Sequence, residues 1–160
     1  MKQANDGSAI ALLYLEDLQV GQKYTTGSHT LTKAEIVAFA SQFDPQPFHL
    51  DDDAAKDSFF GELVASGWHT AGITMRLLVK SGLPIAGGSI GMGAELAWPR
   101  PTLPGSVLHV ESEILELRPL RSRPDKGLAT IRSETKNHDG ETVQTLVAKL
   151  IIPRRNPSPA

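Results

Sequence analysis

The middle of the chain reads Ser66-Gly-Trp-His-Thr-Ala-Gly-Ile-Thr-Met-Arg-Leu-Leu-Val-Lys80. Its nearly wholly apolar part, residues 71–79, is typical of a helix that packs inside a fold. Ser66-Gly67 opens this helix, and Ser81-Gly82 closes it, because glycine and small polar residues favour helix ends. We therefore predict a central helix from Trp68 to about Lys80.

Four β-like stretches follow this helix, at about residues 90–98, 107–117, 127–137 and 141–152. Turn signals separate them at residues 100–105, 123–127 and 137–140, and the last, Asn-His-Asp-Gly, is a strong hairpin signal. Consecutive strands joined by tight turns pair in antiparallel fashion. Together with a strand near residues 23–31, they predict an α+β fold, a five-stranded antiparallel β-sheet with the central helix lying along it.

A shorter helix is predicted ahead of the central one. Thr32 and Glu35 form a capping-box pattern, which predicts a helix through about Gln42. The chain then reads Asp44-Pro-Gln-Pro-Phe-His49, and each proline fixes φ and moves the preceding residue out of the helical region. We expect residues 44–49 to form a stiff, non-helical loop, followed by a helical turn at residues 51–56.

The composition excludes several classes of protein. A chain of 160 residues fits one domain, residues 1–160, with an ordered core at about 10–152 and loose ends at 1–8 and 153–160. A net charge of −2 gives no basic field for nucleic acid, and the lack of cysteine excludes disulfides, thiolate metal sites and a cysteine nucleophile. The apolar run at residues 9–15 is too short to cross a membrane, so we expect a soluble cytoplasmic protein.

Asp44 and His49 are the residues best suited to proton transfer. A carboxylate and an imidazole five positions apart on a stiff loop could hold one water, or one acidic C–H, between them. An Asp-Pro-x-Pro segment is also often a plain turn in which Asp caps local backbone groups. The residues alone leave both interpretations open.

The acidic run Asp51-Asp-Asp53 beside His49 has the composition of a metal site. Consecutive residues in a helical turn point in different directions, however, and carboxylates at a helix N-terminus are explained by its dipole. We therefore expect no metal and no other cofactor.

The order of these elements resembles the MaoC-like, R-specific enoyl-CoA hydratase branch of the hotdog fold, over most of the chain from Leu15 to about Ile152. The family pattern is Asp-x-Asn-Pro-x-His-x-Asp, followed by Ala, Phe-Gly and His-Gly. The similar residues here are Asp44-Pro-Gln-Pro-Phe-His49-Leu-Asp51, Ala55, Phe60-Gly61 and Ser66-Gly67. Gln46 thus stands where the family has Asn, and Ser66 where it has His.

The resemblance implies a hotdog fold, a sheet wrapped around the central helix, and hydration or dehydration of a 2-enoyl thioester of CoA or an acyl carrier. Asp44 and His49 would then transfer protons. The Gly67 N–H, at the helix N-terminus, would bind the enolate oxygen. Substrate-contacting positions are Gln46, Ser66 and Met75. The resemblance also implies a homodimer or higher homo-oligomer, with active sites between subunits.

Two other functions remain open. Hotdog thioesterases also use a carboxylate and a helix N-terminus, so acyl-CoA thioester hydrolysis is one alternative. A non-catalytic module that binds acyl-CoA or an acyl carrier is the other, with Gln46 and Ser66 marking a lost site. A basic cluster could meet the phosphates of such a ligand, or form a solvated turn: Arg118, Arg121, Arg123 and Lys126.

Overall fold

The computed structural model describes residues 10–156, so the predicted loose ends at residues 1–8 and 157–160 lie outside the described residues. A short 3₁₀ helix at Leu15–Asp17 is the first regular element. Within residues 10–156, none of the helices combines the length and the apolar character needed to cross a membrane.

The first α-helix, α1 (Lys33–Phe43), begins at the predicted capping box. Thr32 Oγ1 accepts the Glu35 N–H at 3.2 Å, and the Glu35 carboxylate accepts the Thr32 N–H at 2.8 Å. Each contact satisfies an N–H that has no partner inside the helix. The prediction of this helix is confirmed, and the cap sets where α1 starts and therefore where Asp44, at its end, lies.

Two short helices follow: α2 (Pro47–Leu50) and α3 (Asp52–Lys56). The prediction of a non-helical loop through His49 is therefore wrong. Pro47 occupies the first helical position, where its fixed φ suits a helix and its missing N–H is not needed. The residue before it stays extended as expected, since Gln46 has φ −84° and ψ 144°. The predicted helical turn that becomes α3 is confirmed.

The central helix is α4 (Gly67–Ser81), as predicted to within a residue at each end. Ser66 Oγ accepts the Trp68 N–H at 3.2 Å at its start, and the Gly82 N–H donates to Leu78 O at 2.9 Å at its end. Its orientation differs from the apolar pattern. Two threonines are buried beside two aliphatic residues, while three large apolar side chains are exposed: Thr70, Thr74, Ile73 and Leu77 face inward, and Trp68, Met75 and Val79 face outward.

Six strands form one antiparallel sheet: β1 (Lys23–Thr25), β2 (His29–Thr30), β3 (Ile90–Ala97), β4 (Val107–Leu120), β5 (Arg123–Lys136) and β6 (Thr142–Pro153). The order across it is β1-β4-β5-β6-β3, with β2 also paired to β4. Helix α4 packs on one face, against β4 and β6. The predicted α+β sheet around a central helix is confirmed.

The part of the chain that the structure describes has six strands rather than the predicted five, because the first predicted strand is interrupted. Thr26 Oγ1 donates to Gly27 O at 2.7 Å, and the Gly27 N–H donates to Ser81 Oγ at 2.9 Å. These bonds divert the backbone from the ladder with β4. Two short strands, β1 and β2, therefore occupy the place of one.

The turn predicted at residues 123–127 is misplaced. Strand β5 already begins at Arg123, which pairs with Leu120, and the next pair joins Gly127 to Pro119. Residues 124–126 thus bulge out of the ladder with β4, as expected where a proline cannot donate to it, while Lys126 still pairs with Pro153 of β6. The hairpin at residues 137–140 is confirmed, since Gly140 has φ 78° and its N–H donates to Asn137 O at 3.0 Å.

The predicted loose C-terminal end is wrong for residues 153–156. Pro153 belongs to β6, and the Arg155 guanidinium donates to both carboxylate oxygens of Asp17, at 2.9 and 2.7 Å. The same guanidinium lies 4.6 Å from the centre of the Tyr14 ring. Paired donors of this kind bind a carboxylate with defined geometry, so this segment is tied to the start of the fold.

The core that positions the site is a buried apolar cluster between the helices and β4. Ile36 of α1, Ala55 of α3, and Ile73 and Leu77 of α4 all belong to it, together with Val110 of β4. Because one cluster fixes these helices, the end of α1 and the start of α4 are held side by side.

Candidate active site

Asp44 lies immediately after α1 and closes it. Its N–H donates to Ala40 O at 3.0 Å, and its backbone, with φ −152° and ψ 68°, has left the helix. The Asp44 carboxylate is only 17% exposed. The helix end therefore directs a carboxylate toward the start of α4 rather than into solvent.

His49 lies in the middle of α2, and its side chain is 6% exposed. Its Nδ1 is 2.7 Å from Val64 O, and a carbonyl only accepts, so Nδ1 carries a proton. The other ring nitrogen, Nε2, is then the atom that can take up and release a proton. It lies 3.3 Å from Asp44 Oδ2. The structure thus brings Asp44 and His49 together.

Each oxygen of the Asp44 carboxylate accepts a hydrogen bond. Gln46 Nε2 donates to Oδ1 at 2.7 Å, and Ser66 Oγ donates to Oδ2 at 2.7 Å. Burial raises the pKa of Asp44, but these two bonds and the adjacent His49 lower it by more, so the pKa lies below its usual value. The carboxylate is therefore negatively charged at neutral pH.

Gly67 is the first residue of α4, and its N–H has no acceptor among residues 10–156. The first N–H groups of a helix lack intrahelical partners and carry partial positive charge. A Cβ added at Gly67 would lie 2.7 Å from the Trp98 ring, so the site has no room for a side chain. A ligand oxygen could approach this backbone donor directly.

Asp44, Gln46, His49 and Gly67 line one cavity of about 440 Å³, which opens to solvent between α2, the start of α4 and the loop after β3. Ser66 is 0% exposed and does not line it, so the expected substrate contact of Ser66 is replaced by its bond to Asp44. The walls of the cavity are mainly apolar and aromatic. The lining residues include Asp44, Gln46, Phe48, His49, Phe60, Val64, Gly67, Trp68, Thr70, Trp98, Arg100 and Thr102. An apolar cleft with a few convergent polar groups is typical of a small-molecule site.

Not every candidate residue lies in this cavity. Met75 is 46% exposed and lines a second cavity near the other end of α4. The basic cluster of residues 118–126 lies at the β4–β5 hairpin, while Thr102 of the cavity lies just before the start of β4. Fourteen-residue β4 separates them, which at about 3.3 Å per residue is roughly 40 Å.

The three acidic residues beside His49 have partners of their own. Asp51 caps α3 by accepting the Ala54 N–H at 2.9 Å, Asp52 pairs with Lys33, and Asp53 pairs with Lys56 at 2.7 Å. Within residues 10–156, no three His, Asp or Glu side chains are gathered as metal ligands.

Sequence reasoning missed the side of the cavity that Trp98, Arg100 and Thr102 form. Residues 100–105 read as a turn between strands, and nothing in that pattern indicates that the turn folds over the start of α4. One local signal was present: large aromatic Trp98 comes directly before a proline-rich loop. The contact of Trp98 with Gly67, thirty-one positions earlier, exists only in the folded chain.

Comparisons with known proteins agree with this arrangement. A family model described as "MaoC like domain" matches residues 17–137. Among solved structures, the chain is similar to a MaoC-like dehydratase from Rhodospirillum rubrum, with 56% identity, a TM-score of 0.88, and coverage of 90% of this chain and 99% of that one.

Some of the similar proteins have named activities. The chain is 31% identical to 3-hydroxybutyryl-CoA dehydratase from Methylorubrum extorquens, over 71% of each protein. It is 27% identical to the R-hydratase PhaJ1 from Pseudomonas aeruginosa, with a TM-score of 0.69, and the match covers 89% of this chain and 86% of that one. The folds match along most of both chains, which agrees with the predicted hotdog arrangement.

Proposed function

Because the chain belongs to the MaoC-like dehydratase family, we propose that it adds water to a 2-enoyl thioester and removes water in the reverse direction. In the forward reaction the hydroxyl of water bonds to C3, and a proton is added to C2. The product is a 3-hydroxyacyl thioester, with R configuration at C3 as the name of the Pseudomonas relative suggests. The observation that carries this proposal is the Asp44–His49 contact of 3.3 Å beside the free Gly67 N–H.

The proton transfers are assigned to the Asp44–His49 pair. Two atoms 3.3 Å apart can both bind one water that lies about 2.8 Å from each. The charged Asp44 orients this water, and His49 Nε2 takes its proton as the hydroxyl attacks C3. The pair then delivers a proton to C2, so that one water is consumed and both groups return to their initial state.

Negative charge collects on the thioester oxygen as the hydroxyl adds. The Gly67 N–H, reinforced by the dipole of α4, is the donor placed to stabilise it. One such donor typically lowers the activation barrier by about 3–4 kcal/mol. The roles are thus divided, with proton transfer at the end of α1 and oxyanion binding at the start of α4.

CoA is the proposed carrier, following the named activity of the Methylorubrum relative. Arg100 is the only arginine or lysine that lines the cavity within residues 10–156. Its guanidinium is 3.6 Å from Glu141 and about half exposed. It can therefore turn toward a phosphate at the mouth of the cavity.

The two departures from the family pattern favour a working site over a lost one. Gln46 and Ser66 both donate to Asp44, so the replacements still hold the carboxylate in place and keep it charged. A non-catalytic module has no use for this arrangement. Thioester hydrolysis is separated from hydration by its products, because only hydrolysis releases a free thiol.

We also propose a homodimer or higher homo-oligomer. Strand β3 forms one edge of the sheet, has no paired strand other than β6 within residues 10–156, and is exposed at all but one of its residues. Unpaired edges are normally covered in soluble proteins. A second copy of the chain is the proposed cover, since α4 also presents exposed apolar side chains: Trp68, Met75 and Val79.

The test is hydration of 2-enoyl-CoA thioesters, followed by loss of the enoyl absorbance. Asp44→Asn and His49→Ala should each lower the rate by about 10²–10⁴-fold, because a positioned general base contributes that much. The double variant should lose far less than the product of the two factors, since the residues act as a unit. Asp57→Asn, which changes an exposed carboxylate outside the cavity, is the control. Full activity in both single variants would refute the mechanism.

A further inference from the structure

A second cavity lies between α4 and the sheet, on the side away from Asp44 and His49. It is narrower than the first, about 50 Å³, and mostly apolar. Its walls include Met75 and Leu78 of α4, Ile131 of β5, and Leu146 and Ala148 of β6. Within residues 10–156, the two cavities share no lining residue.

A layer of buried polar residues lies between these cavities. Along α4, Thr70 lines the first cavity, Thr74 comes one turn later, and Leu78 lines the second. In the sheet, Thr135 of β5 pairs with Gln144 of β6, and the next inward-facing pair, Ser133 with Leu146, lines the second cavity. Thr74, Thr135 and Gln144 are each 0% exposed, so the layer is closed to solvent.

Every polar atom of the layer is used. Thr74 Oγ1 donates to Thr70 O at 2.9 Å, and it accepts from Gln144 Nε2 at 3.0 Å and from Thr135 Oγ1 at 2.6 Å. Because the carbonyl accepts only, this is the assignment that satisfies all three bonds. Gln144 Oε1 accepts the Trp98 indole N–H at 2.9 Å. A fully satisfied buried network of this kind resists rearrangement.

The network fixes Trp98 at the reaction centre. The indole lines the first cavity and lies against Gly67, where even an added methyl group would come within 2.7 Å of the ring. A thioester oxygen on the Gly67 N–H would thus have Trp98 beside it. The polar CoA arm must leave through the open mouth of the cavity, so the acyl group points inward, toward this wall.

We propose that the layer Trp98, Gln144, Thr74 and Thr135 is a specificity wall that restricts this protein to short-chain 2-enoyl thioesters. The inference rests on the proposed function. The apolar cavity beyond the wall has the character needed for a longer alkyl chain, but the wall separates it from the reaction centre. Trp98 is the residue that an acyl chain meets, and Gln144 and Thr74 are positioning residues that hold it.

The experiment compares hydration of four-carbon and eight-carbon 2-enoyl-CoA, as kcat/KM, in the unaltered protein and in Trp98→Ala. The unaltered protein should strongly prefer the four-carbon substrate. Trp98→Ala should raise the ratio of eight-carbon to four-carbon kcat/KM at least about tenfold, since a single extra or missing methylene in an apolar pocket already changes discrimination by that factor. Thr145→Ala, on the opposite face of β6 from Gln144, is the control and should leave the ratio unchanged.

Two further variants test the position of the wall. Gln144→Leu removes the hydrogen bond to the Trp98 indole while keeping similar bulk. It should raise the ratio of eight-carbon to four-carbon kcat/KM, but by less than Trp98→Ala does. Adding Ala148→Leu to Trp98→Ala fills the second cavity and should abolish the gain. If Trp98→Ala does not fold, the Gln144→Leu result decides.

Binding of saturated acyl-CoA separates this inference from the proposed function. Butyryl-CoA should bind the unaltered protein more tightly than octanoyl-CoA, and Trp98→Ala should reverse or level this preference. If no enoyl-CoA is hydrated but the binding preference holds, the proposed function is refuted, and the proposed role of the layer in chain-length selection is retained. Equal hydration or equal binding of both chain lengths by the unaltered protein would overturn the proposal that the layer restricts acyl chain length.

Discussion

Two hydrogen-bond donors and one imidazole surround the Asp44 carboxylate. Gln46 and Ser66 bind different oxygens, and His49 lies on the Ser66 side, at 3.3 Å. This arrangement keeps the carboxylate charged although it is largely buried, because both donors favour the ionised form. The charge on Asp44 therefore depends on Gln46 and Ser66 as well as on His49.

Removal of the Ser66 hydroxyl should change the pH dependence of hydration. Asp44 has a lowered pKa in the folded protein, so the active carboxylate persists as pH falls and is lost only when pH passes that pKa. Ser66→Ala removes a bond that lowers this pKa, so the acidic limb of kcat/KM against pH should move to higher pH. An acidic limb that stays in place would show that Ser66 does not influence Asp44.

Ser66 also caps α4, so its loss can lower stability as well as change the pKa. Ser41→Ala is a suitable control, because Ser41 is an exposed residue of α1 whose hydroxyl bonds only to Val37 O. Loss of stability alone lowers activity at every pH. A shift of the acidic limb is specific to the carboxylate.

At the scale of helices and strands, the site is built where two helix ends meet. The C-terminal end of α1 supplies Asp44, the N-terminal end of α4 supplies Ser66 and Gly67, and α2 brings His49 between them. Carboxylates are favoured near helix N-termini, so the dipole of α4 also supports the charge on Asp44. The positions of these caps therefore decide the geometry of the pair.

Loss of the α1 cap should lower both stability and activity. Thr32→Ala removes the hydroxyl that accepts the Glu35 N–H, which typically costs about 0.5–2 kcal/mol of unfolding free energy. Denaturant unfolding would measure this loss, with Thr32→Ser expected to restore most of it. Thr30→Ala, at an exposed position in β2, is the matched control. An unchanged midpoint in Thr32→Ala would contradict the assigned role of the cap.

For the whole molecule, the unusual feature is the number of exposed apolar side chains on the β3 edge and on α4. Met92 is 61% exposed and Ile90 is 54% exposed on this edge, while Trp68 is 60% exposed on α4. Exposed apolar residues on an unpaired edge strand mark an interaction surface. Ile90 and Met92 lie on the face of the sheet away from α4, whereas Trp68 lines the cavity of Asp44, so the candidate site lies near the exposed part of α4.

The chain should therefore sediment as a dimer or larger assembly at micromolar concentration. Met92→Glu places a charge on the β3 edge and should shift the population toward a 17.2 kDa monomer, with loss of hydration if the sites need both subunits. Val20→Glu, at an exposed apolar residue away from this edge, should not change the mass. A monomeric mass for the unaltered protein would refute the assembly.

Local patterns in the sequence determined most of the elements of this protein. The capping box at Thr32 and Glu35, the Asn137–Gly140 hairpin and the glycine at the start of α4 act within a few residues, so their outcomes could be predicted. The Asp44 and His49 pair was also accessible, because both residues belong to one short segment. Pro47 was misjudged, since a proline that ends one helix can equally begin the next.

Only the tertiary structure decided what surrounds the pair. The break between β1 and β2 depends on Ser81, the tie of the C-terminal segment depends on Asp17, and the position of Trp98 depends on Gln144. The inward face of α4 was also decided there, because Thr70 and Thr74 are buried only where Thr102, Thr135 and Gln144 provide partners. A buried polar group is stable only when hydrogen-bonded, and partners distant in the chain meet only in the folded state.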